Sequence, residues 1–374
     1  MKLTVEKDAL VRALGRLHRI VERRNTVPIL SNVLLSCSDG KLALRVTDLD
    51  IEATDTVAAE VSEPGATSVP AFTLNDIVRK LPDGGQITFS LDGSEPRLHL
   101  RAGRSRFQLP CLSAADFPSL ESGDLPFVFD LARAELRGLL EKVQPSISTE
   151  ETRYYLNGVY LHVLAGPDGV HRIRGVATDG HRLGLASLPA PAGSEGMPGV
   201  IVPRKTVGEL LRLADDSVET VSIEVSRSKL RARFGNVVLV TKLIDGTFPD
   251  YERVIPRGND KVVLTQRAAL ASAIDRVSTV ATERGRGISV ALDAGVAVLS
   301  MTSPDSGSAT EEFAVEYADA PLTIGFNSRY LMDVLAAFDG EQVEVRLGDA
   351  GGPAIVQGPG GGGDLLYVLM PMRV

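Results

Sequence analysis

Tryptophan is absent from this 374-residue chain, and cysteine occurs only at Cys37 and Cys111. Two thiols without CxxC spacing exclude a disulfide framework and a cysteine-held zinc site. No apolar run approaches the ~18 residues that a membrane span requires. The opening MKLTVEKDAL puts charges where a secretory signal needs an apolar stretch. The expected location is therefore the cytoplasm, with both thiols free. Phosphate-binding and metalloprotease signatures are missing as well: there is no GxxxxGK[ST], no HExxH, and no GxGxxG between a strand and a helix. The run from Gly358 to Gly363 has no lysine or helix after it and reads as a flexible loop before the final strand. Net positive charge is also lacking, since 48 acidic side chains outnumber 40 basic ones for a net −8. That balance argues against a simple basic nucleic-acid binder.

What the chain does have is 44% hydrophobic residues, enough to bury a core, and an internal repeat. A strand followed at once by an amphipathic helix begins at Leu3, at Phe129 and at Val263. A strand, a helix, an acidic or glycine turn and a second strand begin at Val69, at Val202 and at Ile324. A Thr-Asp or Thr-Ser turn recurs at Thr47-Asp48, Thr178-Asp179 and Thr302-Ser303. Each series is displaced by about 120 to 135 residues, a domain-sized period that signifies triplication rather than a solenoid. The expected fold is α+β: three repeated domains, each with two helices and about eight strands, the helices layered on one side of antiparallel sheets. Turn-forming residues at Asp124 to Pro126 and Pro256 to Gly258 set the boundaries at 1–126, 127–256 and 257–374.

Charge is segregated within that pattern. In the first helix Leu10, Leu14, Leu17 and Val21 form an apolar stripe; Arg12, Arg16, Arg19 and Arg23 repeat the spacing two residues out of phase. A charged outer face is ordinary for any one helix. The six helical segments together, however, carry net +9, which leaves −17 on the rest of the chain. Basic helices on an acidic body would make one positive surface, suited to holding a phosphate backbone without reading bases. A shape that surrounds the duplex would reconcile the two signs.

Other chemistry is sparse. Of five histidines, only His181, in Asp179-Gly180-His181-Arg182, has a carboxylate close by in sequence. One reading is a hydrolase using Asp179 and His181; the other is a polar turn whose His and Arg line a groove. Cys37 follows Val33 and Leu35 at period two and reads as core. Cys111 follows Leu109-Pro110 with no charged neighbour to activate its thiol. The tail from Leu365 to Val374 is apolar, whereas termini are usually polar and frayed. Tyr367 to Met370 read as a closing strand; Pro371 stops the ladder, leaving Met372 as an adaptable apolar surface.

RYYLNG, VATDGHRL, VIVPRK, FPDY and the terminal VLMPMRV, on a triplicated α+β chain with basic helices, resemble the bacterial DNA polymerase III beta subunit family, the sliding clamps. The resemblance spans the whole chain. It implies a head-to-tail homodimer forming a six-domain ring around duplex DNA, helices lining the hole and sheets outside. It further implies a non-catalytic subunit of a polymerase holoenzyme, with no cofactor or metal. Implied partners are the replicative polymerase catalytic subunit, an ATP-driven clamp loader, other polymerases and repair proteins, bound through short linear peptides. The matching peptide-pocket positions are Leu156, Thr178, Gly180, His181, Arg182, Leu183, Pro249, Arg253, Val254, Val368, Met370, Pro371, Met372 and Arg373, with arginine stems covering the peptide's edges. The DNA positions are Arg24, Arg79, Arg204 and Lys205 facing the hole, with Tyr154 and Tyr155 near its rim. At the dimer seam the resemblance points to Phe107 and Leu109 with Arg104 and Arg106, facing Thr279 and Val280 with Asp305, Glu311 and Glu312. The family usually has two bulky apolar residues where Thr279 and Val280 stand, so a looser dimer is expected.

Overall fold

Period-two strands and short amphipathic helices alternate along the chain, and the backbone follows them in three copies. The structure, a computed structural model, describes all residues except 24, 92–95, 121–122, 167–168, 216, 283–285, 362 and 374. The first copy runs β1 (Lys2–Glu6), α1 (Lys7–Leu17), β2 (Asn32–Ser38), β3 (Lys41–Thr47), β4 (Ile51–Ala58), β5 (Glu60–Glu63) and β6 (Gly65–Pro70). It closes with α2 (Ala71–Lys80), β7 (Gln86–Leu91), β8 (Arg97–Ala102) and β9 (Ser105–Pro110). The second runs β10 (Phe127–Ala132), α3 (Arg133–Val143), β11 (Gly158–Ala165), β12 (His171–Thr178), β13 (Arg182–Pro189) and β14 (Val200–Pro203). Then come α4 (Arg204–Leu213), β15 (Thr220–Val225), β16 (Lys229–Phe234) and β17 (Val237–Lys242). The third runs β18 (Lys261–Gln266), α5 (Arg267–Val277), β19 (Gly287–Asp293), β20 (Val296–Ser303), β21 (Gly307–Ala314) and β22 (Leu322–Asn327). It ends with α6 (Ser328–Ala336), β23 (Gln342–Leu347), β24 (Ala354–Gln357) and β25 (Leu365–Leu369).

The chain divides into two compact units. Unit 1 holds Met1–Arg133, Pro191–Met197 and Gly208–Leu243; unit 2 holds Ala134–Ala190, Pro198–Val207 and Ile244–Val374. Unit 1 contains a five-stranded sheet, β5-β1-β7-β8-β9, and an eight-stranded sheet, β10-β15-β16-β17-β4-β3-β2-β6. Unit 2 contains an eight-stranded sheet, β14-β11-β12-β13-β25-β24-β23-β18, and a four-stranded sheet, β21-β20-β19-β22. Each eight-stranded sheet joins strands of two successive copies. In unit 1 the joint is antiparallel β17 against β4, with Leu239 opposite Ala53. In unit 2 it is β25 against β13, with Tyr367 opposite Gly184. A bulky residue thus lies over a small one at both joints: a Cβ at Gly184 would come within 2.9 Å of the Tyr367 ring. The strands in the corresponding places of the remaining half-sheets, β9 and β21, stand at sheet edges.

Helix α1 buries Leu10, Ala13, Leu14 and Leu17; each leucine removed from water contributes about 2 kcal/mol. It stops at Leu17, short of the expected stripe through Val21. The His18 N–H donates to the Leu14 carbonyl at 2.9 Å and its ring Nδ1 lies 2.9 Å from the same oxygen. The turn that follows, with Ile20 N–H on Leu17 O at 3.1 Å, buries Ile20 and Val21 without a helix. Arg19 and Arg23 therefore do not continue a helical face. Arg23 instead lies over the Phe72 ring at 4.7 Å, and Arg16 donates from Nε to the buried Asp55 carboxylate at 2.8 Å. Cys37 is core, as expected.

In unit 2 one face of the eight-stranded sheet meets helices: Leu270, Ala273, Ile274 and Val277 of α5 and Leu331, Val334 and Leu335 of α6 share a core with Val343, Val356, Tyr367 and Leu369. Asn327 caps α6, its side-chain oxygen accepting from the Arg329 N–H at 3.0 Å. Residues that alternate with these on the strands form a second apolar cluster, where the candidate site lies.

Candidate functional site

The Thr178–Leu183 turn is built by its own side chains. Thr178 Oγ1 donates to the Arg182 carbonyl at 2.7 Å and accepts from the Gly180 N–H at 3.1 Å. Asp179 Oδ1 accepts from the N–H groups of His181 and Arg182, each at 3.0 Å. Gly180 has φ +88°, and a Cβ there would come within 2.8 Å of Arg153 Nη1, so the position suits glycine alone. The other Asp179 oxygen meets Arg182 Nε at 3.2 Å. Asp179 is thus committed to the turn and to Arg182, and the suggested dyad with His181 is not formed. Among the described residues no group of three or more His, Cys, Asp or Glu is placed to hold a metal ion.

Arg182 differs from its expected role at a peptide's edge. Its side chain is only 8% exposed. Nη1 donates to Asp333 Oδ2 on α6 at 2.6 Å, Nη2 donates to the Pro145 carbonyl just past α3, and the guanidinium lies 4.1 Å from the Tyr330 ring centre. It is a strut fixing the turn to two helices.

The strut holds an apolar face. Leu183 pairs with Val368 across the β13–β25 joint, and both cluster with Leu156, Phe248 and Tyr251. Around these buried residues lie exposed ones: Val254 at 46%, Met370 at 41% and Met372 at 40%, with Pro249, His181 and Arg373 also exposed. Arg253 is exposed and folds back onto Asp250 at 2.7 Å. The tail is more firmly held than Pro371 suggested, because the N–H groups flanking it stay bonded: Met370 to His181 O and Met372 to Gly325 O, both at 2.9 Å. Motif reading missed Val176, Leu185, Ile201, Phe248 and Tyr251 in this cluster. Strand alternation was the available signal for the first three. Beneath the face, Tyr251 Oη receives a bond from Arg174 Nη1 at 2.9 Å and lies 3.1 Å from His162 Nε2, while Tyr160 stacks between His162 and Phe248. Burial, then the Arg174 cation, pull the His162 pKa down to about 4.

The equivalent place in unit 1 is polar. Glu52 pairs with Val240 where Leu183 pairs with Val368, and its Oε2 accepts from the Leu120 N–H at 2.9 Å. Lys242 N–H donates to Asp50 O, the counterpart of Met370 to His181, and the two side chains form an ion pair at 3.1 Å. An apolar face of this kind therefore exists at the unit 2 joint and is replaced by charges at the unit 1 joint.

The remaining candidates are distributed as follows. In unit 2, Tyr154 is exposed and meets Tyr155 edge-on at 5.7 Å. Arg204 and Lys205 are exposed at the start of α4, and Arg204 shares with Arg329 a cavity of about 580 Å³ that also reaches Glu150 and Asp333. In unit 1, Arg79 is exposed in the last turn of α2; Arg24 lies outside the described residues. On β9, Phe107 is half-buried, Leu109 is buried and Arg106 is exposed, with Arg104 in the preceding turn. Thr279 is exposed, its hydroxyl directed to the Asp275 carbonyl, and Val280 rests on the unit 2 core. On or near β21, Asp305 and Glu312 are exposed, whereas Glu311 is engaged by Arg276 of α5.

Residues 1–121 match the DNA polymerase III beta subunit N-terminal domain, residues 130–250 its central domain and residues 252–373 its C-terminal domain. The chain is 48% identical over 374 residues to the beta sliding clamp of Caulobacter vibrioides (strain NA1000 / CB15N), and 37% identical over 377 residues to that of Escherichia coli (strain K12). Both alignments cover 100% of each chain. A solved Caulobacter crescentus beta sliding clamp is similar at TM-score 0.97 and 48% identity, over 100% of this chain and 99% of that one. A Bartonella birtlesii sliding clamp bound to griselimycin is similar at TM-score 0.96 and 47% identity, over 100% of both.

Proposed function

The chain belongs to the family of bacterial DNA polymerase III beta subunits, the sliding clamps, and on that premise we propose that two copies close head to tail into a six-domain ring around duplex DNA. Its function is that of a processivity factor in DNA replication, a non-catalytic clamp built of three clamp-type domains with helices packed on antiparallel sheets. We read the domain limits as 1–126, 127–256 and 257–374.

The observation that carries ring closure is the pair of open edges. β9 ends its sheet as a counterpart of β17 and β25; β21 ends its sheet as a counterpart of β4 and β13. Transferring the internal register to a second copy sets Phe107 opposite Ala309, repeating Leu239 over Ala53 and Tyr367 over Gly184. It also sets Arg104 opposite Glu312, and opposite charges at facing positions support pairing. Twofold symmetry then closes both seams and leaves neither β9 nor β21 unpaired. Arg24, Arg79, Arg204 and Lys205 would touch phosphate on the inner wall, with Tyr154 and Tyr155 at the rim. The apolar face of Leu156, Leu183, Val254, Val368, Met370 and Met372 would take the apolar anchors of short peptides from the polymerase, the clamp loader and repair proteins. Among the described residues no helix is long and apolar enough to cross a membrane, and a cytoplasmic location fits this role.

Loaded protein should stay on nicked circular DNA and be lost when the circle is cut. Equal retention on both forms would rule out enclosure. Removing residues 370–374 should abolish peptide binding while leaving the fold intact; undiminished binding would remove the pocket assignment.

A further inference from the structure

The strand register extends the apolar face beyond the residues assigned to it. Directly paired residues point to the same side of a sheet. Leu183 pairs with Val368, Val368 with Ile355, and Ile355 with Arg346. One row therefore runs from the centre of the apolar face across β24 to an arginine on β23. The parallel row two residues along ends in Gln357 and Glu344.

At the end of these rows lies a cavity of about 340 Å³, lined by Arg346, Ile355 and Gln357 together with Pro256, Arg257 and Asn259. Its charges are unevenly satisfied. Glu344 is buried and saturated: Arg346 Nε donates to it at 2.6 Å, Gln357 Nε2 at 2.7 Å and the Gly360 N–H at 2.9 Å. Arg346 is engaged there through Nε, and among the described residues its two terminal nitrogens have no acceptor, which leaves them for another. Arg257 is exposed, and among the described residues no carboxylate pairs with it. The loop carrying Arg257 is fixed by Asn259, whose amide donates to the carbonyls of Arg346 at 2.9 Å and Pro353 at 2.8 Å. One anchored guanidinium and a second, exposed one on a fixed loop thus border the same opening, at the end of the sheet face that carries the candidate peptide site.

The geometry points to a second recognition element: Arg257 and Arg346 receive a carboxylate from an extended peptide whose apolar anchor lies over Leu183 and Val368. This rests on the peptide-binding reading above and adds the chemistry of the partner's flank. Two strand spacings separate Val368 from Arg346, roughly 10 Å, which an extended chain covers in about three residues. The preferred partners are accordingly peptides with an aspartate or glutamate about three residues from the anchor. Paired guanidinium groups suit a carboxylate better than a neutral amide does.

The test is fluorescence anisotropy on the full-length protein with labelled peptides carrying a Leu-Phe anchor, a Gly-Ser spacer and a tail of Asp-Asp, Ala-Ala or Lys-Lys, the tail on either side of the anchor. In one orientation the Asp-Asp peptide should bind about five-fold tighter than Ala-Ala, with the gain shrinking as salt rises. Arg257→Ala should remove the gain while changing Ala-Ala affinity less than two-fold; Arg257→Glu should make Lys-Lys the tighter peptide. Equal affinities for all tails in both orientations, or a gain that survives Arg257→Glu, would overturn the proposal while leaving the apolar site standing. Failure of the Ala-Ala peptide to bind, or binding that withstands Leu183→Asp, would overturn both.

Discussion

Replacing Arg182 with alanine should destabilise unit 2 by about 3 kcal/mol, the order expected when one partner of a buried charge pair is removed. The guanidinium bonds to Asp179, Asp333 and the Pro145 carbonyl and covers the Tyr330 ring. Charge-assisted bonds contribute about 1.5–3 kcal/mol each and a cation over a ring about 1 kcal/mol. The full sum does not apply, because the Asp333 side chain is 31% exposed and can rehydrate, and Asp179 keeps its two backbone donors. A net loss near 3 kcal/mol corresponds to roughly a 150-fold change in the folded-to-unfolded ratio. Arg182→Lys should recover less than half, since an ammonium cannot reproduce the planar fork that reaches three elements. Tyrosine fluorescence during urea unfolding isolates the effect: the chain has no tryptophan, and all seven tyrosines fall in unit 2. A loss under about 1 kcal/mol, or full rescue by lysine, would return Arg182 to the peptide-edge role that the motif suggested.

Further outcomes concern the buried His162 and the proposed seam. His162 has its pKa lowered to about 4 in the fold against 6.5 unfolded. The unfolded chain therefore takes up the proton first, and stability that is complete above pH 6.5 falls as the pH drops toward 4, by up to about 3 kcal/mol. His162→Phe should flatten that slope in urea titrations; an unchanged slope would assign the acid sensitivity elsewhere. At the proposed seam, Phe107→Asp should weaken dimerisation at least about a hundred-fold, as burial of an unpaired charge would, and Ala309→Leu should weaken it by overfilling. Sedimentation across a dilution series reads both. A wild-type dimer still intact at nanomolar concentration would count against the loosening expected from Thr279.

Much of this organisation could be read from residue order, and the parts that could not share a cause. Period-two runs such as Lys41 to Val46 and the α5 stripe are local, so the repeated strand–helix plan is visible in the chain. The end of α1 was not, because Ile20 and Val21 keep the helical phase while gaining burial through a turn. Arg16 finds Asp55 39 residues away and Arg182 finds Asp333 151 residues away, distances at which pattern carries no signal. Both arginines looked like surface charges for that reason. The sharing of sheets between copies is invisible for the same reason: nothing near Leu239 names Ala53 as its neighbour.

That sharing bears on how the chain can be dissected. A fragment cut at the repeat boundaries would inherit β10, β15, β16 and β17 stripped of β4, and β11 to β14 stripped of β25, leaving two raw margins of unpaired amides open to aggregation. Sequence repeat and compact structural unit are therefore different objects here. Circular permutants or split reporters built on this scaffold should be opened in the hairpin turns at Gly103 or Gly235, within a single half-sheet, so that the hydrogen-bonded seams between copies survive.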